Sequence, residues 1–323
     1  MKSPDRLSRT ITCLLGSLVA SVAMAQADFP VKTIQFMVPQ AAGGSTDTLA
    51  RTIGQKLSDA MGLPVVSENR AGANGIIGTE WVAKAAPNGA TLLVGGTGTM
   101  AINPSLYAKI TYDPVKQFAA VANFGYSTSV LVVHPSLAPK TIGELIALAK
   151  SRPGDLKYAS AGVGSSPHLS GELFKSMTGL TLPVVHYQGG GPALKAMIAG
   201  EAEVMFEPMS ASIEPVRTGK LRALAVSTST RSAALPDLPV VADAVPGYEA
   251  SAVTGLGAPR GTPPDVIAGL NAAMNAAFTD DAMKRKLADT GGEPLPGTPA
   301  DFAALMKAET EKWGKVVKSA QGK

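Results

Sequence analysis

The pattern that most limits how this chain can fold is a short apolar run that stops at a glycine- or serine-rich loop and then gives way to helical spacing. It appears in "FMVPQAAGGSTDTLAR" (residues 36–51) and again in "YASAGVGSSPHLSGE" (158–172). A third loop, "GGTGTMAIN" (95–103), also follows a strand-like run. Strands that alternate with helices in this way favour an α/β fold with mainly parallel sheets.

The units follow in order. "TIQFMV" (33–38) reads as a strand, and Leu49, Ile53, Leu57 and Met61 then recur at i, i+4 spacing, with Gly62 as the closing cap. "VVSEN" and "TLLVGG" read as strands, with a helix around Trp81 between them. A second series begins at "SVLVV" (129–133). In it "LKYAS", "LPVVHY" and "EVMF" alternate with helices starting near Thr141, Ser166 and Pro192. Thr141 with Glu144 makes a capping box, and Pro167 sits in a first helical turn. Residues 229–250, rich in Pro, Ser and Ala, read as a connecting loop. After it come a strand, "AVTGLGA", and helices starting near Pro263, Asp280 and Pro299. No fixed-period repeat is visible.

Lys2, Arg6 and Arg9 precede the apolar stretch "ITCLLGSLVASVA", which ends in Ala23-Met24-Ala25. This is the layout of a secretory signal peptide, with cleavage expected after Ala25 and an exported, periplasmic product. The stretch falls short of the roughly 20 apolar residues that span a bilayer. The only cysteine, Cys13, lies within it, so the mature chain is expected to hold no disulfide, thiol nucleophile or cysteine metal site. Removing residues 1–25 takes away three basic residues and one acidic residue, leaving 26 against 24, a net charge of +2. That charge makes no case for nucleic acid or membrane as partner, and aromatics at 5% argue against stacking platforms. About 300 mature residues exceed the size at which one core stops growing, so two lobes are expected.

The loops carry the chemistry. In "PQAAGGSTD" glycines allow a sharp turn, Ser45 or Asp47 can cap the next helix, and uncapped amides there can hold an anion. An ordinary βα turn explains that loop equally well. Gly96-x-Gly98-x-x-Ala101 is a partial dinucleotide fingerprint, but no acidic residue ends a strand about 20 residues on, and no cofactor is expected. Ser166 and His168 invite a serine hydrolase reading. No G-x-S-x-G elbow occurs, and a capping serine beside a loop histidine accounts for both. His134, His168 and His186 form no metal-ligand spacing, so neither metal nor catalytic residues are assigned. Glycine- and hydroxyl-rich strand ends without a nucleophile or metal set suggest binding, because in open α/β sheets ligands gather at the carboxyl ends of strands.

"VPQAAGGSTDTLAR", "SENRAGANGIIGTEWVAKAAPNGATLLVG", "INPSLY", "YDPVKQF", "YASAGVGSSPHLSGELF" and "HYQGGGPALKAMIAGEAEVMFE" together resemble the solute-binding proteins of tripartite tricarboxylate transporters, the Bug family. The resemblance runs over nearly the whole mature chain. It implies a two-lobed periplasmic-binding-protein fold of the Venus flytrap kind, type II-like, joined by two crossing strands near residues 124–128 and 225–228. Residues 27–123 with 229–323 would form lobe 1, and residues 124–228 lobe 2. The implied partners are a small organic carboxylate and the membrane permease subunits of the transporter, and nothing requires more than a monomer.

Carried over by position, Gln40, the amides of Ala42, Gly43 and Gly44, and the side chains of Ser45 and Asp47 would surround one end of the ligand. Thr97, Thr99 and Asn103 match a second loop. Ser165, Ser166 and His168 match a third in the opposite lobe, with Tyr187 and Glu207 beside it. Gln40 stands where the family usually has an aromatic residue, Gln188 where a base is common and Glu207 where an aspartate is common. Losing a cation while keeping an acid argues for a mono- or dicarboxylate over a tricarboxylate, one with an amino or aromatic group that Glu207 or Gln40 could recognise. Two other functions stay open on sequence alone: an exported hydrolase using Ser166 and His168, and a ligand-sensing receptor with no transport role.

Overall fold

The computed structural model describes residues 29–43, 45–289 and 291–320. The expected signal peptide with Cys13, and Gly44 of the first loop, lie outside the described residues, as does the side chain of Ser45.

The first half runs β1 (Ile34–Val38), α1 (Ser45–Met61), β2 (Val65–Asn69), α2 (Ile76–Ala83) and β3 (Thr91–Gly96). A π-helical turn (Thr97–Ile102) leads to two short helices, α3 (Asn103–Leu106) and α4 (Pro114–Gln117), and then to β4 (Phe118–Ser127). The second series is β5 (Ser129–Val133), α5 (Ile142–Ser151), β6 (Tyr158–Ser160), α6 (Ser166–Thr178), β7 (Val184–His186), α7 (Gly190–Ala199), β8 (Val204–Pro208), α8 (Met209–Arg217) and β9 (Arg222–Val226). The chain closes with β10 (Ala252–Pro259), α9 (Pro264–Ala277), α10 (Asp281–Ala288), β11 (Gly292–Glu293) and α11 (Pro299–Ala320). Among the described residues no helix is long and apolar enough to cross a membrane.

Two sheets result, in the orders β11-β4-β10-β3-β1-β2 and β7-β6-β8-β5-β9. Both are mixed, where mainly parallel sheets were expected. β1 runs parallel to β2 and β3, and β6 parallel to β7 and β8, but β10 is antiparallel to β3 and β4, and β5 to β8 and β9. The cause is the path of the chain. It leaves the first sheet on β4, enters the second directly on β5, leaves on β9 and returns to β10. Strands that exit and re-enter a sheet at one crossing must run in opposite senses. The crossings are tied together, since Ser227 N donates to Ser129 O at 2.8 Å and Ser129 N donates to Ser227 Oγ at 3.1 Å.

β5 is apolar along its length because both faces are covered. Leu131 and Val133 join one buried cluster, Val130 and Val132 another. The first of these also takes in Val241, Val245, Tyr248 and Ala250. Tyr248 stacks on Phe206, with ring centroids 5.4 Å apart. The segment 229–250, grouped by sequence with lobe 1, thus buries its apolar side chains in the core of the second sheet. α11 adds Trp313, Val316 and Val317 to that same cluster. The expected capping box at α5 is shifted by one residue: Thr141 Oγ1 accepts from Glu144 N, while Glu144 reaches Lys140 N and not Thr141 N.

Candidate functional site

In each sheet the parallel strands end on the same side. β1, β2 and β3 lead into residues 39–44, 70–75 and 97–103, and β6 and β7 into 161–165 and 187–189, while Glu207 sits near the end of β8. These two edges meet. Gly164 has a left-handed backbone (φ 77°), and a Cβ built there would lie 2.0 Å from Leu106 Cδ2 and 3.6 Å from Asn74 Nδ2. Only a residue without a side chain lets the loop after β6 approach α3 this closely.

The first loop is organised by Asp47, which is 4% exposed. One carboxylate oxygen accepts from Gly43 N at 2.8 Å, Arg51 Nε donates to the carboxylate, and Asn69 Nδ2 donates to the other oxygen at 3.0 Å. Asn69 Nδ2 also holds the Gln40 carbonyl. Hydrogen bonding by Arg51, then by the Gly43 amide, keeps the Asp47 carboxyl below its usual range. Asp47 is therefore spent on shaping the loop, and Gln40, Ala42 and Gly43 remain exposed along it.

The second loop is equally tied down. Thr97 Oγ1 accepts from Val253 N and donates to Glu309 Oε2, and Thr99 Oγ1 accepts from Gly96 N. Asn103, fully buried, exchanges two hydrogen bonds with Asn74: its Nδ2 donates to Asn74 O at 2.9 Å and its Oδ1 accepts from Asn74 Nδ2 at 3.0 Å. Asn74 itself sits at φ 54° in the turn Ala73–Gly75. Sequence reasoning did not single it out, although "AGANG" signals a left-handed turn.

In the third loop Ser165 caps α6, accepting from His168 N at 3.3 Å and donating to Gly162 O at 2.7 Å. His168 Nδ1 accepts from Gly164 N, and Nε2 lies 3.8 Å from Glu172. Burial lowers its pKa to about 4, so the ring is neutral and carries its proton on Nε2. Neither ring nitrogen turns to the hydroxyl of Ser165 or Ser166, so the hydrolase arrangement is not built. Tyr187 is half-buried and packs against the cluster under α7, and the amide that follows β7 donates to Ser160 O. Glu207, only 2% exposed, has an Oε2 without a hydrogen-bond partner. Burial alone raises its pKa to about 8.

The structure thus brings the loop after β6 against α3 and the 70–75 turn through Gly164, Leu106 and Asn74, and the polar side-chain atoms of Asp47, Thr97, Thr99 and Asn103 bond within the protein. Comparison with known proteins gives this arrangement a family. Residues 49–321 match the tripartite tricarboxylate transporter family receptor. Protein BugT of Bordetella pertussis is 36% identical over 319 residues, covering 97% of this chain and 98% of its own. Among solved structures, R. palustris Rpa4515 with adipate superposes with a TM-score of 0.82 at 37% identity, covering 91% of this chain and 99% of its own. MatC from Rhodopseudomonas palustris with bound malate superposes with a TM-score of 0.78 at 35% identity, covering 90% and 100%. The chain belongs to the receptors of the tripartite tricarboxylate transporter family, the Bug-type periplasmic solute-binding proteins.

Proposed function

We propose that this receptor captures a small mono- or dicarboxylate between the facing strand edges and presents it to the membrane permease of a tripartite transporter. One observation carries the reading. The strand ends on these edges, 39–43, 97–103, 161–168 and 187–189, carry amides and hydroxyls and no lysine or arginine, and Arg70, the one cation of the 70–75 loop, is held by Glu68 and the Trp81 ring. Such groups hold carboxylate oxygens without the desolvation cost of burying a cation, and they suit a low ligand charge. The adipate and malate on the two solved relatives fit this class. Closure would turn on residues 124–128 and 225–228, with the lobe boundary on the return path near Ser251, where side chains stop packing on the second sheet. The chain would reach the periplasm by cleavage after Ala25.

A thermal-shift panel of acetate, benzoate, succinate, malate, adipate and citrate on refolded mature protein tests this. At a hundred times its dissociation constant a ligand adds about 2.7 kcal/mol, a shift on the order of 5 °C or more for a protein of this size. A mono- or dicarboxylate should give it and citrate should not. A response to citrate alone would overturn the proposed ligand charge.

A further inference from the structure

On the face of the second sheet that α7 covers, β8 places Glu207 opposite Val130 of β5. The surroundings are apolar, formed by Val130, Ala193, Met205 and Met209. The carboxyl lies against the first residue of α7, where a Cβ on Gly190 would meet Glu207 Oε1 at 3.4 Å, and no side chain caps that helix start. A second polar atom shares the region. Met209 N donates to Thr128 O, so the register continues one step beyond Ser129 and makes Thr128 the diagonal neighbour of Glu207 on the same face. Thr128 is fully buried, and its Oγ1, like Glu207 Oε2, has no partner. Buried polar atoms are rarely left so. Two together, at the end of β8 and beside the crossing between the sheets, mark a polar subsite at the edge where the ligand is expected.

The ionisable groups around Glu207 do not neutralise it. Tyr158 on β6 uses its hydroxyl on Pro167 O and Phe206 N. On α6, Glu172 pairs with Lys175 at 2.7 Å and His168 is neutral. On α7 and α8, Lys195, Glu214 and Arg217 are exposed. A buried carboxyl with no cation holds its proton, and a neutral carboxyl is a hydrogen-bond donor.

We propose that Glu207 in its protonated form donates a hydrogen bond to a carboxylate oxygen of the ligand, so that the ligand anion is held together with one proton. The inference rests on the carboxylate-receptor reading. The O–H bond of Glu207 stays intact. Where Glu207 has ionised, binding takes one proton from solvent, and capture weakens as pH rises.

The test is calorimetric titration with succinate, malate, adipate and benzoate from pH 6 to 9.5, a range over which these acids stay largely ionised. Affinity of the native protein for the acid that binds should fall, approaching tenfold per pH unit above the ionisation of Glu207. Glu207→Gln has a donor but no proton to lose, so whatever its affinity at pH 6.5, that affinity should stay flat to pH 9.5. Native affinity that is flat with pH would overturn the inference and leave the receptor reading standing. Affinity that rises with pH and is lost in E207Q would also overturn it, by making Glu207 an anion that meets a ligand cation. If none of the four acids binds, the proposed function fails and the inference fails with it. Should E207Q not fold, the slope of the native protein decides alone.

Discussion

Glu207 and His168 put opposite pH dependences into one protein. The folded-state pKa of Glu207 is raised to about 8 from 4.5 by burial, so its contribution to stability is complete below pH 4.5 and is lost as pH rises towards 8. The loss is at most about 1.4 kcal/mol per pH unit. His168 is depressed to about 4 from 6.5, chiefly by burial, so its contribution is complete above pH 6.5 and is lost as pH falls towards 4. Thermal unfolding across pH 4 to 9 should therefore show E207Q gaining on the native protein from about pH 4.5 to about pH 8 and running level with it above that. His168→Gln should gain on it below pH 6. Parallel native and variant curves would contradict the assignments. Asp47 belongs to the same scale: Asp47→Ala removes a buried acceptor from Gly43 N and Asn69 Nδ2, and it should cost about 1–3 kcal/mol in denaturant unfolding as well as loosening the first loop.

Among the elements, α11 ties the second loop to the return path into β10. Lys312 bridges Glu309 at 2.5 Å and Glu249 at 2.6 Å. Glu309 in turn accepts from Trp313 Nε1 and from Thr97 of the second loop. Glu249 accepts from Ser251 N on the return path to β10. Lys312→Met leaves the buried Glu309 without its cation. With Lys312 and Glu249 partly open to solvent, it should cost about 1–3 kcal/mol, and Glu309→Gln in the same chain should recover part of it. An unchanged unfolding midpoint would remove the clasp from the account. How much was legible in sequence follows the same elements. β1, β3 and β5 announced themselves through Ile34, Leu92, Leu93 and Val130–Val133, and α1 through its i, i+4 leucines and isoleucine. Of β4 only the end near 124–128 was expected, as a crossing, because Ala119, Ala120, Ala122 and Asn123 have poor strand propensity, and its pairing with β10 supplies what its composition does not. α8 was missed because Pro215 interrupts its pattern. The candidate site was legible as loops but not as contacts. Nothing local in Asp47, Thr97 or Asn103 tells that their polar atoms are used up by Asn69, Val253 and Asn74, which are distant in sequence or bond through the backbone.

For the whole molecule the decisive feature is the meeting of two strand edges at Gly164. Gly164→Ala forces a left-handed alanine, worth about 1 kcal/mol, and drives a methyl into Leu106. It should weaken ligand binding and enlarge the radius of gyration in small-angle scattering, and Leu106→Ala in the same chain should relieve the steric part. An unchanged radius and affinity would remove this contact from the closure. The central claim, that these edges close on a carboxylate, is tested most directly by titrating the refolded mature protein with the best-binding acid and with its methyl ester in parallel. Saturable binding of the acid and none of the ester is expected, since esterification removes the negative charge that strengthens hydrogen bonds from amides and puts a methyl group on one of the two acceptor oxygens. Equal binding of acid and ester would contradict the claim.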